Sequence, residues 1–182
     1  MTTGAELQEQ GVKLFMQHDY EAAADKFKEA VGAYTQEGKS DLAAEMKVNL
    51  GLVDRALGNF DNAITLMNEA QQVFAELSDR SREAQVKGNL GGVYLAQGNN
   101  EQAMTYYREA ADAFKELDDE DRYGQTLLAI ADIHFKSGKL TQAMGTYEIA
   151  LESIKEPNLR QRIMKGLISV KNKLVGGGAP EA

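Results

Sequence analysis

The sequence predicts an all-α protein, an α-solenoid of four helix-turn-helix repeats followed by a C-terminal capping helix. The first observation is internal repetition, because the segment from Asn49 to Phe60 reappears as Asn89 to Asn100 at an offset of 40 residues. A fixed period of this size is typical of stacked repeats, in which each unit buries its apolar face against the next. The second observation is composition, since only two prolines occur in 182 residues and helix-forming residues are abundant.

Small and large residues recur in columns when the 40-residue period is applied to the whole chain. A small residue at a helix crossing lets two backbones approach, and a large residue fills the adjacent space. The alignment therefore predicts that the small column packs against a large one. The columns are Gly11, Gly51, Gly91 and Ala131; Phe27, Met67, Tyr107 and Tyr147; and Tyr34, Phe74, Phe114 and Ile154.

Each unit is predicted to contain two helices. The apolar residues Ala63, Met67, Ala70 and Phe74 are spaced by three or four positions and share one helical face. The break between the two helices falls at Gly58 and at the equivalent positions of the other units, since glycine can adopt the left-handed conformation that ends a helix. We expect repeats at about residues 4–38, 40–78, 81–118 and 122–156.

A last helix is expected over residues 159–175, with Asn158 at its N-cap. Its apolar stripe, predicted to face the fourth unit, contains Ile163, Leu167, Val170 and Leu174, and charged residues occupy the opposite face. Residues 1–175 would then form a single domain. Residues 176–182 are expected to be a disordered tail, because none of them can anchor it.

These residues resemble the pattern of tetratricopeptide-repeat proteins. The third unit shows it best, with Leu90-Gly91, then Tyr94, and then Ala103 and Tyr107. The usual period is about 34 residues, so these 40-residue repeats are elongated and are similar to those of kinesin light chains and of the adaptor linking G-protein subunits to spindle machinery. The additional length is assigned mainly to the second helix.

The repeats depart from the family pattern near the start of the first helix. Lys47 and Lys87 occupy a position where a large apolar residue is usual. We therefore expect that the lysine side chain replaces the usual apolar contact at this position, while the assignment of the fold is unchanged.

Charge and composition exclude several classes of function. The formal net charge is −8, which opposes non-specific attraction to nucleic acid or to anionic membranes. The chain has no cysteine, so it cannot form a disulfide or a thiolate metal site. No basic segment followed by an apolar run opens the chain, and a cytoplasmic protein with no membrane or nucleic-acid partner is expected.

Catalytic chemistry has no recognisable motif in this sequence. There is no nucleophile elbow, phosphate loop or dinucleotide fingerprint, and the only two histidines are His18 and His134. His134 coincides with a packing position of the repeat. We therefore expect no enzyme activity, no cofactor and no metal site.

The resemblance implies a concave groove lined by the first helix of each repeat. The groove column holds Asn49 and Asn89, whose amides could donate to and accept from a peptide backbone. The face is expected to be nearly uncharged and to lack the Lys and Arg residues with which some tetratricopeptide domains bind a C-terminal carboxylate. The other predicted contacts are Val12, Val48, Leu52, Gln85, Gln125 and Asp132.

The predicted function is a non-enzymatic protein-protein interaction module or scaffold that binds a peptide segment of a partner. Two alternatives stay open at this point. One is a structural scaffold that self-assembles as a homo-oligomer, and the other is a peptide or small-molecule sensor that acts through a separate effector.

Overall fold

The structure, a computed structural model, describes residues 2–176, and within them it contains helices and no strands. This confirms the all-α fold class predicted from the repeats, with helices that pack in successive pairs as in α-solenoids. The helices of these residues are α1 (Gly4–Met16), α2 (Tyr20–Gln36), α3 (Ser40–Leu57), α4 (Phe60–Glu76), α5 (Arg80–Ala96), α6 (Asn100–Glu116), α7 (Glu120–Lys136), α8 (Leu140–Ser153) and α9 (Leu159–Gly176).

The helices belong to two compact units, which we call the amino-terminal unit (residues 1–109) and the carboxy-terminal unit (residues 110–182). In the amino-terminal unit each helix from α1 to α4 packs against the next one along the chain, and α3 also contacts α5. In the carboxy-terminal unit α7 packs against α8, and α8 contacts α9. The single domain over residues 1–175 stays a prediction.

A residue in the left-handed conformation follows the helices at every twentieth position. Its φ angle lies between 55° and 86°, and the next residue donates its backbone N–H to the carbonyl five residues earlier, as Asp79 does to Phe74 at 2.8 Å. This is the Schellman arrangement, which satisfies carbonyls at the end of a helix. The left-handed residues are His18, Gly38, Gly58, Ser78, Gly98, Asp118 and Gly138.

This spacing shows where the extra length of each repeat lies. Each helix and the turn after it together take 20 residues, so the extra residues of a repeat are shared equally between its two helices. Helix α3 has 18 residues and α4 has 17, while α5 and α6 both have 17. The prediction that the second helix carries most of the additional residues is therefore wrong.

Glycines of the first helices lie directly against large residues of the second helices. A Cβ atom added to Gly11 would lie 2.7 Å from the Phe27 ring, and one at Gly91 would lie 2.9 Å from the Tyr107 ring. Gly51 faces Met67 in the same way. The predicted pairing of small and large columns is thus present inside the amino-terminal unit.

The lysines that depart from the family pattern form ion pairs between neighbouring helices. Lys47 Nζ of α3 lies 2.7 Å from a carboxylate oxygen of Glu69 in α4, and Lys87 of α5 lies 3.2 Å from Glu109 in α6. Both pairs repeat with the 40-residue period. The large apolar residue usual at this position is therefore replaced by a half-exposed charge pair, which contributes about 1 kcal/mol or less.

Helix α9 begins with the cap that the sequence predicts. The Asn158 side chain accepts from the Gln161 backbone at 3.0 Å, and the Gln161 side chain accepts from the Asn158 backbone at 2.7 Å. Of the predicted apolar stripe, Ile163 is 57% exposed, and Ile168 is buried instead. The side chains of Leu167, Val170 and Leu174 lie outside the part of the chain that the structure describes. The helix ends at Gly176, so the remainder of the predicted tail lies outside the described residues.

Within residues 2–176, no helix combines the length and the apolar character that crossing a membrane requires.

Replacing Ser78 with glycine should stabilise the chain. Ser78 has a φ of 55°, where a Cβ atom is strained and glycine is not. We expect Ser78→Gly to raise the free energy of unfolding by about 0.5–1 kcal/mol in urea titrations followed by circular dichroism. Ser137→Gly is the matched control, because Ser137 has a φ of −85° and gains no such relief; equal gains for both variants would contradict the explanation.

The N-cap of α5 should make stability depend on pH. Asp79 accepts from the Arg82 backbone at 2.9 Å and from its guanidinium at 2.6 Å, and these bonds lower the pKa of the Asp79 carboxyl. A lowered folded-state pKa gives stability that is present above the unfolded value and is lost as pH falls through the folded one.

We therefore expect Asp79→Ala to reduce the free energy of unfolding by about 1 kcal/mol at pH 7, and by less below about pH 4. Urea titrations at several pH values measure this difference. Asp79→Asn keeps a capping oxygen and loses the charge, so it should remove the pH dependence with a smaller loss at pH 7. A loss from Asp79→Ala that is the same at every pH would rule out the linkage.

Candidate functional site

Four of the eight sequence-predicted site residues line a cleft between α3 and α5 of the amino-terminal unit, which we call the α3–α5 cleft. Its volume is about 190 Å³. Helix α3 contributes four consecutive groove-facing positions, α5 contributes three, and Phe74 of α4 contributes one. The lining residues are Glu45, Val48, Asn49, Leu52, Phe74, Arg82, Gln85 and Val86, of which Val48, Asn49, Leu52 and Gln85 were predicted.

The two helices line the cleft because they are equivalent elements of successive repeats. Both run in the same direction, since Asp41 near the start of α3 lies 3.3 Å from Arg82 near the start of α5, and Arg55 near the end of α3 lies over Gly92 near the end of α5. Phe74 is almost fully buried beside Val48 and Val86, so apolar packing holds the walls of the cleft apart at a fixed spacing. Asn49 and Leu52 are half-buried and Gln85 is exposed, which leaves their side chains accessible along one side.

The two asparagine amides are largely free of partners within the described part of the chain. The Asn49 amide nitrogen lies 3.9 Å from Met46 Sδ, a weak acceptor, and Asn89 forms no side-chain hydrogen bond there. No buried side-chain nitrogen or oxygen of the described residues lacks a partner, so the Asn89 amide is open to solvent. Each amide can therefore offer a donor and an acceptor to a ligand.

Asn89 lies one helical turn beyond Gln85 on α5 and does not line the cleft itself. Residues three or four positions apart on a helix share a face. Asn89 therefore extends the polar face of the cleft along α5.

The cleft contains charge, which corrects the prediction of a nearly uncharged face. Glu45 and Arg82 both line it. The Arg82 guanidinium contacts Asp79 and lies 3.3 Å from Asp41, and it stacks 4.8 Å from the centroid of the Phe74 ring. These two carboxylates neutralise Arg82, and its position closes one end of the cleft.

The other end of this face holds a feature that the sequence analysis missed. Arg55 of α3 is half-buried, and its guanidinium lies over Gly92 of α5, where an added Cβ atom would be only 2.5 Å from Nη1. In the sequence, this feature could have been recognised from Gly92, which has no side chain at a position where the other repeats carry one. The period places Gly92 in the column of Val12, Leu52 and Asp132, where the other repeats carry side chains.

Besides Asn89, three further predicted site residues lie outside the α3–α5 cleft. Val12 is 45% exposed on α1, and Gln125 is exposed on α7 of the carboxy-terminal unit. Asp132 accepts a hydrogen bond from the Tyr147 hydroxyl and lines a separate cavity of about 130 Å³ between α7, α8 and α9. Their role as partner contacts stays a prediction.

Groups with catalytic or metal-binding potential are sparse in residues 2–176. His134 is half-buried on α7, and His18 lies in a turn where its ring stacks on Tyr20. No group of three or more histidine or acidic side chains converges on a metal position in this range.

The repeat pattern identifies the family. Two models described as tetratricopeptide repeat match the chain, one over residues 42–116 and 82–156 and the other over residues 9–73. The chain belongs to the tetratricopeptide-repeat family. A search of curated protein sequences finds no significant match to it.

Solved structures of similar fold include BtubC (BKLC) from P. vanneervenii, with a TM-score of 0.74 and 18% identity over 98% of this chain and 84% of that one. The Rap conjugation gene regulator of the plasmid pLS20, solved with a Phr peptide, has a TM-score of 0.74 and 19% identity over 97% of this chain and 48% of its own.

The apo form of the quorum sensor NprR from B. thuringiensis has a TM-score of 0.69 and 17% identity over 93% of this chain and 49% of that one. This tetratricopeptide-repeat chain thus spans about half the length of Rap and of NprR. At these identities the likeness concerns the fold.

Replacing the two asparagines should leave the fold intact. Their amides make at most one weak contact within the described residues, so Asn49→Ala and Asn89→Ala should each change the free energy of unfolding by less than about 0.5 kcal/mol. Gly91→Ala should cost about 1–3 kcal/mol, because the new methyl group meets the Tyr107 ring. Urea titrations compare the three variants, and a large loss from either asparagine variant would indicate a structural role.

Proposed function

We propose that this protein is a non-enzymatic interaction module that binds a peptide segment of a partner protein at the α3–α5 cleft. The observation that carries the proposal is the pair of solvent-open amides on equivalent positions of successive repeats, Asn49 and Asn89. An amide that already bonded to its own helix could not serve a ligand. These two retain almost their whole hydrogen-bonding capacity.

The surroundings of the amides favour an extended segment. Successive residues of an extended chain point their side chains to opposite sides and leave backbone donors and acceptors accessible between them. Asn49 and Asn89 can bond to that backbone while side chains of the segment contact Val48 and Leu52. The mixture of amide and apolar surface suits neutral polar and apolar residues of a partner.

Proteins of similar fold support this class of function. Rap has been solved in complex with the Phr* peptide, and NprR has been solved in complex with its cognate peptide NprX. Since this chain spans about half of each, they support peptide binding as the mode of action and leave the identity of the partner to experiment. The net charge of −8 disfavours nucleic acid and anionic membranes as partners.

A random 12-residue peptide display library selected on the full chain provides a direct test. We expect peptides that bind the wild-type protein and lose about tenfold or more in affinity to the Asn49→Ala, Asn89→Ala double variant, because two backbone-directed amides are removed. Fluorescence anisotropy with synthetic copies of the selected peptides measures the affinity.

Asn68→Ala is the matched control, since Asn68 is exposed on α4, away from the cleft. It should bind as the wild-type protein does. Equal affinity for the double variant would refute the assignment of the cleft, and a failure to select any peptide would count against the interaction module. Light scattering over a concentration series tests the self-assembling scaffold, which requires a species larger than the monomer.

A further inference from the structure

We propose that Arg55 binds a carboxylate of the bound segment, so that the partner carries an acidic group at this end of the α3–α5 cleft. The inference rests on the proposed function and adds the chemistry of one partner residue to it. It comes from an unpaired cation held in a prepared position between two helices.

Arg55 forms no ion pair with any of the described residues, in contrast to Arg82 of the same cleft. Arg82 is neutralised by Asp79 and Asp41, whereas Arg55 is half-buried and retains its full charge. A partly desolvated cation attracts an anion more strongly than a cation in open solvent, because water screens it less. Its position therefore favours a negatively charged ligand.

Gly92 provides the space in which the guanidinium lies. A Cβ atom at this position would be 2.5 Å from Arg55 Nη1 and 3.5 Å from the Tyr107 hydroxyl oxygen, so any other residue would displace the arginine. Glycine inside a helix is unfavourable relative to alanine, and α5 nevertheless has one here. The absent side chain thus leaves room for the guanidinium beside the backbone of α5.

Arg55 continues the line of groups that would contact the partner. On α3, Asn49, Leu52 and Arg55 follow one another at steps of three residues, and on α5, Asn89 is three residues before Gly92. Residues three apart are neighbours on a helix surface, so Leu52 lies between Asn49 and Arg55 on α3. A segment held by the two asparagines therefore passes next to the guanidinium.

A carboxylate is the anion that best fits this position. The planar guanidinium presents parallel donors that match the two oxygens of a carboxylate, and one arginine neutralises one carboxylate. The protein as a whole repels acidic ligands, since its net charge is −8. Preference for an acidic segment would therefore have to come from a local site such as Arg55.

The same 12-residue library tests the assignment when it is selected in parallel on the wild-type chain, Arg55→Gln and Arg108→Gln. Arg108 is an exposed arginine on α6 and serves as the matched control. We expect Asp or Glu to be enriched in peptides selected on the wild-type and Arg108→Gln proteins and to lose that enrichment on Arg55→Gln. Circular dichroism and thermal melting verify that each variant is folded.

Synthetic peptides then identify the source of the carboxylate. Peptides with the acidic residue changed to its amide, and peptides with an amidated C-terminus, are compared with the selected parent on the wild-type chain. We expect the change of the acidic residue to its amide to reduce affinity about tenfold on the wild-type chain and to have no effect on Arg55→Gln, while the amidated C-terminus leaves affinity unchanged. Gly92→Ala, which displaces the guanidinium, should reproduce the loss.

Selected peptides that depend on Asn49 and Asn89 but show no acidic preference, and bind Arg55→Gln as tightly as the wild-type chain, would overturn the assignment of Arg55 and leave the proposed function standing. Peptides that depend on neither asparagine would overturn the cleft and the assignment of Arg55 together.

Discussion

The left-handed residue that ends a helix at every twentieth position is the constraint on which the rest of the structure depends. Each such residue turns the chain and satisfies carbonyls of the preceding helix, so successive helices start at a fixed distance along the sequence. Within the amino-terminal unit this makes α3 and α5 equivalent and parallel. The cleft forms because the two helices turn equivalent faces toward it at equivalent positions along their length.

Close contacts between glycines and large side chains hold the two helices of a repeat together. Gly11 receives the Phe27 ring and Gly91 receives the Tyr107 ring, so the two helices of a repeat approach more closely than side chains would otherwise permit. Such packing is sensitive to the addition of a single methyl group. Buried contacts of this kind also hold the helices that form the walls of the cleft, where Phe74 packs with Val48 and Val86.

Charges on the described faces differ in how completely they are paired. Lys47, Lys87 and Arg82 each lie against a carboxylate of a neighbouring helix or cap, whereas Arg55 lies against the backbone at Gly92. Paired charges satisfy one another and contribute little to recognition. Arg55, which forms no ion pair with the residues that the structure describes, distinguishes this end of the face from the end that Arg82 occupies.

The sequence alone determined the helical repeats, the pairing of small and large columns and four residues of the cleft, because a 40-residue period records which positions are equivalent in every unit. It misassigned the extra helix length and the burial of Ile163, since only the structure shows that Ser78 and Asp118 end helices as glycine does, and that Ile163 is exposed while Ile168 is buried. The tertiary structure also decided the charge of the cleft. Distances between helices decide which carboxylate pairs with Arg82 and place Arg55 in the space left by Gly92. A periodicity along the sequence does not encode these distances.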